Sequence, residues 1–413
     1  MMPSDPATPA DDRPARGDRL RAVLRSGLFV VLGAAVVTVG SERMFWYWST
    51  DPLAHVELSL FYAGAIAFSL WAVERYRVDD AWSFLLTVPL FAYWVEGVIT
   101  PVVYSGGPFV PVFPVWFTAW HGLLSLTVLW YFFRRWLVAG RWRPLLAASL
   151  GVGLFWGAWS ITLTLPENVN DPELIVEQGG PLEILGPLAF ARYAVVFTLI
   201  LAGAHYLLGR VWVSSYRPAR LSRWLWLAAT AIMVGTWTVA YPWAAPMFIA
   251  YVALQIWALR RHRSRPASDP ADEDSVDGGA DGRSLLADLD GRVPLLALWP
   301  LAAIPLVAAP TYALLWELAP PEEAIRAWMF VVIAVQSLIA LGVVGYSFVR
   351  IVRRPMPAPP SGPGFTASAV SGSSAAPSAP SAGWPPPSGP AAVPPPPASP
   401  NAGAPFATGE SGW

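Results

Sequence analysis

The chain has 413 residues, of which 55% are hydrophobic and only 13% are charged, whereas a soluble protein of this length needs far more charge on its surface. The composition therefore indicates an integral membrane protein, and the formal net charge of -1 gives it no general attraction to nucleic acid. The sequence contains neither cysteine nor lysine, which excludes disulfides, thiolate metal sites, cysteine nucleophiles and lysine Schiff bases.

Residues 1–25 are polar and rich in proline and arginine, and they are predicted to form a disordered cytoplasmic arm. Beyond them, ten apolar segments are long enough to cross a bilayer, because roughly 20 helical residues span its core of about 30 Å. The first segment lacks a convincing signal-peptide cleavage site, so we expect it to be retained. The ten candidate spans are 22–41, 56–74, 82–100, 114–133, 144–165, 187–209, 223–240, 242–259, 294–316 and 327–349.

Arginine is distributed unevenly between the two sides that these spans define. Cytoplasmic loops of membrane proteins carry an excess of positive charge. Alternate segments, starting with the N-terminal arm, hold 24 of the 27 arginines, and the opposite side keeps only Arg43, Arg192 and Arg326. In the loop at 166–190 on that opposite side, every charged residue is acidic. The sequence therefore predicts an all-α, polytopic bundle of about ten helices in the plasma membrane, with both termini cytoplasmic.

The later loops define the domain organisation. A membrane domain at 26–259 is followed by an acidic cytoplasmic linker at 260–293 and by a membrane hairpin at 294–350, which looks appended to the bundle. Within the linker, residues 264–291 are predicted to carry no packed structure. They also fail the ligand spacing of an EF-hand calcium loop, so we interpret them as a solvated acidic stretch.

Residues 351–413 form a cytoplasmic tail rich in proline, alanine and serine. This composition buries too little apolar surface to fold, so the tail is predicted to be disordered. Its two proline runs, Trp384–Pro387 and Val393–Pro397, offer polyproline II ligands to a cytosolic protein. We favour the simpler interpretation that the tail is an inert flexible extension.

A carboxylate and an imidazole flank the connection between spans three and four. Glu96 lies roughly 8 Å below the outer end of span three, and His121 lies roughly 10 Å below the start of span four. The short, proline-containing connection makes these spans antiparallel neighbours, so the two side chains are expected to meet directly or through a water. Ionisable groups at this depth indicate a functional site, and a structural pair between helices is the alternative.

Further ionisable residues are predicted on the same outer side of the membrane. They are Glu42 and Arg43 at the end of span one, His55 and Glu57 at the start of span two, and Arg192 near the start of span six. Glu42 and Arg43 are interpreted as solvated or paired in the headgroup region. His205 belongs about 15 Å deeper, so it cannot share a ligand with His121, and it is interpreted as a helix–helix hydrogen bond.

Two other patterns have structural interpretations. The aromatic residues at 44–48 and at Trp94, Trp116 and Trp120 are typical of an interfacial belt. Gly153 and Gly157 in span five have the GxxxG spacing that lets two helices approach closely. The sequence contains no HExxH, P-loop or GxSxG motif, so no standard catalytic signature is present.

Three functions from different classes remain. The first is a membrane enzyme for a lipid or isoprenoid-like substrate, with Glu96 and His121 as catalytic residues and with Arg43, Glu57 and Arg192 binding the substrate. In this hypothesis the enzyme needs no cofactor. A second form of the hypothesis places zinc or iron on four side chains. The metal ligands in that second form are Glu96, His121, Glu57 and His55.

The other two functions use the same residues differently or not at all. A proton-coupled transporter would use Glu96 and His121 as a proton relay. A non-catalytic scaffold would use the tail and the linker as docking segments. We rank the enzyme first, because the charged groups gather on one side of the membrane instead of near its midplane. Membrane lipids are the expected partners, and the oligomeric state is not determined by the sequence.

Overall fold

The structure is a computed structural model that describes residues 16–44, 52–96, 118–166, 186–211, 221–240, 242, 245–263 and 285–353. The regular secondary structure in these ranges is helical, and they contain no strand, which confirms the all-α class. The N-terminal arm up to residue 15, the linker at 264–284 and the tail from residue 354 lie outside the described residues. The predictions made for those segments, including the two proline runs, therefore stay predictions.

Eleven α-helices are present in the described part of the chain. They are α1 (Arg16–Thr38), α2 (Pro52–Arg75), α3 (Ala81–Leu85), α4 (Val88–Trp94), α5 (Phe133–Val138), α6 (Trp142–Ser160), α7 (Pro187–Val211), α8 (Leu221–Ala240), α9 (Ala245–Arg263), α10 (Ala303–Leu318) and α11 (Glu322–Arg353). A π-helical turn extends α1 (Val39–Arg43), and a longer π-helical segment leads into α5 (Thr118–Phe132). Short 3₁₀ helices follow α6 (Ile161–Thr164), precede α10 (Leu295–Ala302) and cover Leu285–Leu289.

Helix occupies part of each of the ten segments that the sequence predicts to cross a membrane. Six of the described helices are long and apolar enough to cross by themselves, so the protein is a multi-pass membrane protein, and the count of ten stays a prediction. These six are Val23–Arg43, Leu53–Arg75, Trp142–Thr164, Pro187–Val211, Leu295–Leu318 and Glu322–Arg353.

The predicted third span is broken into two short helices. Asp80 starts α3, because its carboxylate accepts a hydrogen bond from the backbone N–H of Ser83 and forms a capping box with that residue. The chain breaks at Leu86 and Thr87, and α4 begins with Pro89 in its first turn, where a missing N–H costs nothing. This break brings α4 against the π-helical segment before α5.

Helix α1 packs against α2, α7 and the π-helical segment Thr118–Phe132. Helix α10 packs against α6 and α7, so it belongs to the same bundle as the helices before the linker, in contrast to the predicted appended hairpin. The predicted GxxxG contact is confirmed on α6. A Cβ atom on Gly153 would lie 2.5 Å from the carbonyl oxygen of Ile304, and one on Gly157 would press on the carbonyl of Ala308.

The end of the acidic linker is packed, which corrects the prediction that 264–291 carries no packed structure. Leu285, Leu286 and Leu289 are buried, and the backbone N–H of Leu285 donates a hydrogen bond of 3.2 Å to the carbonyl of Val78. The composition of the whole linker hid this apolar stripe, because the acidic residues before it dominate the average.

Arg134, in the first turn of α5, holds this part of the linker in place. Its guanidinium is fully buried and donates to three backbone carbonyls. The acceptors are Leu289 at 3.0 Å, Gly291 at 2.6 Å and His205 at 2.8 Å. The planar fork of an arginine fits several carbonyl groups at once, so one side chain joins α5, α7 and the linker.

Candidate functional site

Four buried polar side chains form a connected series inside the bundle, and we call this series the polar chain. The Tyr62 hydroxyl donates a hydrogen bond to Oε1 of Glu42, and its oxygen lies 3.5 Å from Nδ1 of His121. On the other side of the ring, Nε2 of His121 contacts Oε1 of Glu96. The structure therefore brings Glu96 and His121 into direct contact, and it adds Glu42 and Tyr62 to them.

Each member of the polar chain comes from a different predicted span. Glu42 ends the first span, Tyr62 lies in α2, Glu96 follows α4 and His121 lies before α5. Their exposed fractions are 2%, 0%, 5% and 1% in that order. A buried charge is stable only when it is paired and hydrogen-bonded, and each group in this series has such a partner beside it. The arrangement can hold, accept or release a proton away from water.

The backbone changes from α-helix to π-helix where the polar chain is formed. The turn at Val39–Arg43 carries Glu42, and the backbone N–H of Met44 donates to the carbonyl of Val39, five residues earlier, at 2.9 Å. His121 lies in the π-helical segment Thr118–Phe132. π-Helical turns are rare in proteins overall, but those that occur often lie at functional sites. They rotate the following side chains around the helix and here direct two ionisable groups inward.

Close helix packing lets the side chains of Glu96 and His121 reach each other. Gly122 follows His121, and a Cβ atom at this position would lie against the side chain of Val88 and 3.2 Å from the carbonyl oxygen of Val88. The absence of a side chain at Gly122 therefore lets α4 and the segment before α5 approach each other. Glu96, two residues after α4, then reaches the imidazole.

Aromatic residues fix the backbone around Glu42 from two sides. The indole N–H of Trp120 donates to the carbonyl of Ser41 at 3.3 Å, and the Tyr193 hydroxyl donates to the carbonyl of Arg43 at 2.9 Å. Trp120 and Trp94 are both buried inside the bundle, so these two residues do not belong to the predicted interfacial belt. Hydropathy does not show which face of a helix meets other helices, and the belt residues 45–48 and Trp116 lie outside the described residues.

Arg43 and Glu42 are also buried, which corrects their interpretation as headgroup residues. The guanidinium carbon of Arg43 lies 5.9 Å from the ring centroid of Phe197 on α7, within range of a cation–π interaction. The ring of His55 packs edge-on against the same phenylalanine at 5.3 Å. The π-helical segment Thr118–Phe132 and helix α7 pack over the end of α1, and the sequence alone does not reveal that packing.

His55 and Arg192 line an apolar cavity of about 590 Å³ between α1, α2 and α7. His55 is buried on the inner wall, and Arg192 is exposed at the edge of the cavity. Glu57 is exposed on α2 and does not line this cavity. Of the three predicted substrate-binding residues, only Arg192 lines the cavity. Arg43 contacts Phe197, which is a residue of the cavity wall, and Glu57 does not line the cavity.

The four predicted metal ligands do not converge. Glu96 and His121 meet, but His55 packs on Phe197 and Glu57 is exposed. Among the described residues, no group of three or more histidine, aspartate or glutamate side chains is arranged to hold a metal ion. The pair of Glu96 and His121 supplies two ligands, which is fewer than the three that protein zinc sites provide.

Tyr62 is the functional residue that the sequence reasoning missed. It lies seven residues after His55 on α2, so both residues share one face of that helix. A search for polar residues at helical spacing from His55 would have found it. His205, by contrast, behaves as predicted, because its Nε2 forms a helix–helix hydrogen bond of 3.0 Å with the carbonyl of Leu129.

The chemical capacity of this site follows from its geometry. Two carboxyl groups, a phenol and an imidazole are in contact inside the bundle, and a cavity with mostly apolar walls lies between α1, α2 and α7. No protein-family model matches the chain, and neither a curated protein nor a solved structure is similar to it.

Proposed function

We propose that the protein is a membrane enzyme that acts on a lipid or isoprenoid-like substrate, with Glu96 and His121 as its acid–base pair. The observation that carries the proposal is the direct contact between these two residues inside the bundle. A carboxylate and an imidazole in contact can exchange a proton, and positioned acid–base groups accelerate reactions by roughly 10²- to 10⁴-fold.

The rest of the polar chain supports this role. Tyr62 connects His121 to Glu42, so a proton that leaves the pair has a second carboxylate within the same series. Electrostatic interactions are stronger in a buried site than in water, and the low exposure of all four groups favours controlled proton transfer. The nearby apolar cavity offers space for the hydrocarbon part of a membrane lipid.

The orientation of the site belongs to the same proposal. The arginine distribution favours ten spans with both termini cytoplasmic in the plasma membrane. In that topology, Glu42, Glu96 and His121 lie in the outer third of the bilayer. The substrate would then enter from the outer leaflet, and membrane lipids are the partners.

The proposal is tested by the lipid composition of cells that produce the protein. Parent protein, Glu96→Gln and Glu323→Gln are produced at equal levels in one host, and membrane lipids are compared by mass spectrometry. Glu323 is the control carboxylate, since it is exposed at the start of α11. We expect a lipid change with the parent and with Glu323→Gln, and its loss with Glu96→Gln. A change that persists unaltered in Glu96→Gln would reject the proposal.

A proton-coupled transporter is the second candidate, and the serial arrangement of the polar chain favours it. Two carboxylates joined by a phenol and an imidazole also suit a proton relay across part of a transport path. Proteoliposomes under an imposed pH gradient separate the two functions. Solute flux that follows the gradient and disappears in Glu96→Gln supports transport, whereas lipid conversion without flux supports the enzyme.

A further inference from the structure

The cavity between α1, α2 and α7 has the size of a ligand site. Its volume of about 590 Å³ lies within the range of roughly 300–1,000 Å³ that small-molecule sites occupy. Most of its walls are apolar, and these walls include Val31 and Ala35 of α1, Leu60 of α2, and Val196 and Ile200 of α7. Side chains of this kind accommodate a hydrocarbon chain.

Two buried polar side chains on α2 face this cavity without a hydrogen-bond partner. His55 is only 6% exposed, and neither of its ring nitrogens is hydrogen-bonded to any residue that the structure describes. The same is true of the Ser59 hydroxyl, one turn further along α2. Buried polar groups in proteins are nearly always paired, so these three atoms indicate a polar partner that enters the cavity.

The charged groups at the cavity are positive. Arg192 is the charged residue among those that line it. Behind the wall, the Arg43 guanidinium lies on the Phe197 ring, against which His55 also packs. A guanidinium binds carboxylate and phosphate groups through paired hydrogen bonds, so this end of the cavity favours an anion.

The polar and apolar residues are separated along the helix axes. Arg192 and Ile200 lie on one face of α7, eight residues apart, which corresponds to about 12 Å. His55 lies near the start of α2, as Arg192 does near the start of α7. The polar groups therefore gather at one end of the cavity, and the apolar walls continue away from it.

We infer that this cavity binds an amphiphile with an anionic headgroup and one apolar chain. The headgroup lies on Arg192, His55 and Ser59, and the chain extends toward Val31 and Ile200. Tyr193 forms part of the wall, and its hydroxyl holds the carbonyl of Arg43, the neighbour of Glu42, which connects the cavity to the polar chain. The identification of this ligand as the substrate rests on the proposed function, whereas the binding itself does not require turnover.

The inference is tested by equilibrium binding to the full-length protein in phosphatidylcholine nanodiscs. The radiolabelled probes are farnesyl phosphate and dodecyl phosphate, each with the matching neutral alcohol. We expect saturable binding of a phosphate at least about tenfold tighter than that of its alcohol, which corresponds to loss of one good charge interaction. Tighter farnesyl binding assigns an isoprenoid ligand, and tighter dodecyl binding assigns an acyl-type ligand. If neither phosphate shows saturable binding, the inference is overturned.

Variants locate the binding site. Arg192→Ala is expected to weaken phosphate binding at least about tenfold and to change alcohol binding less than twofold, because only the charge interaction is lost. Ala35→Phe fills the cavity and is expected to weaken binding of all four probes. The control Arg326→Ala removes a partly exposed arginine of α11, which pairs with Glu322 and does not line the cavity, and it should bind like the parent. Because Arg192 is exposed, we expect Arg192→Ala to retain the fold. If this variant binds the phosphates as tightly as the parent does, the inference is overturned.

One further variant separates the inference from the proposed function. Glu96→Gln should bind the phosphate probes with the parent's affinity while lipid conversion is lost, because Glu96 does not line the cavity. If the parent binds these probes but converts no lipid, the proposed function fails and the binding site stands. If lipid conversion depends on Glu96 and the cavity variants bind normally, the binding site fails and the proposed function stands.

Discussion

Tyr62 is the residue that makes the polar chain continuous. Its hydroxyl donates to Glu42, and the same oxygen lies 3.5 Å from the ring nitrogen of His121 that faces away from Glu96. Without this hydroxyl, the Glu42 carboxylate would lose a donor inside the bundle, where water does not replace it. The cost of such a loss exceeds that of a hydrogen bond on the surface, because the remaining partner is left buried and unsatisfied.

Tyr62→Phe is therefore expected to destabilise the protein by about 2 kcal/mol, since it removes a buried hydrogen bond to the Glu42 carboxyl group, leaves that group unsatisfied and changes no apolar contact. The free energy of unfolding in detergent, measured by denaturant titration, checks this value. Tyr206→Phe is the matched control, because the Tyr206 hydroxyl accepts a hydrogen bond from Arg210 on the outside of α7. A Tyr62→Phe protein as stable as the control would contradict the assignment of a buried donor.

At this scale, the sequence predicted the pair but not its surroundings. The contact of Glu96 with His121 follows from two apolar segments and one short connection, all of which are visible in the sequence. The participation of Tyr62 depends on the rotation of α2, and the burial of Arg43 depends on the packing of α7 over α1. Both are consequences of tertiary packing, which hydropathy does not encode.

At the scale of helices, the contact between α6 and α10 is set by glycine. A Cβ atom on Gly157 would meet the carbonyl oxygen of Ala308 and would lie 2.8 Å from Cβ of Thr311. Small residues at this spacing let helix backbones approach, which is the main source of packing energy between helices in a membrane. The GxxxG pattern was readable in the sequence, but its partner helix was not.

Gly157→Ala is expected to lower the thermal unfolding temperature, because the added methyl group pushes α10 away from α6. Gly151→Ala, six residues earlier on the same helix, is the control, since nothing lies within 4 Å of a Cβ atom at that position. The control is expected to be neutral or slightly stabilising, by up to about 1 kcal/mol, because alanine favours the helix over glycine. Equal unfolding temperatures for the two variants would refute the close contact.

The hydrogen bonds by which Arg134 holds the linker against the helices were not indicated by any sequence pattern. An arginine at the cytoplasmic end of a span is normally explained by the charge rule alone. Here the side chain is fully buried, and it donates to carbonyls of the linker and of α7. The sequence predicts where an arginine is placed along a helix, whereas its partners depend on which loop folds over that end.

At the scale of the whole molecule, the distribution of arginine predicts the topology. Ten spans place 24 of the 27 arginines on the side of the N-terminal arm. Six described helices are long and apolar enough to cross the membrane alone, and the segments around α3 and α4, α5, α8 and α9 are the remaining candidates. The alternation of charge links all ten segments, since a missing span would reverse the side of every later loop.

Reporter fusions test this topology. A reporter that is active only in the cytoplasm is expected to be active when it is fused after Trp413 or in the linker near residue 275, and inactive in the loop near residue 175. The matched periplasmic reporter should show the reverse pattern. Cytoplasmic activity at residue 175, or its absence at the C terminus, would contradict ten spans with both termini inside.

The central claim is that Glu96 and His121 carry out acid–base chemistry on a lipid, and turnover by the purified protein tests it most directly. Parent, Glu96→Gln and Glu323→Gln proteins in nanodiscs are incubated with a lipid extract of the producing cells, and mass spectrometry follows each lipid species with time. Conversion by the parent and by Glu323→Gln, with a rate at least about 100-fold lower in Glu96→Gln, is the predicted result. Conversion by Glu96→Gln at the parent's rate would contradict the claim.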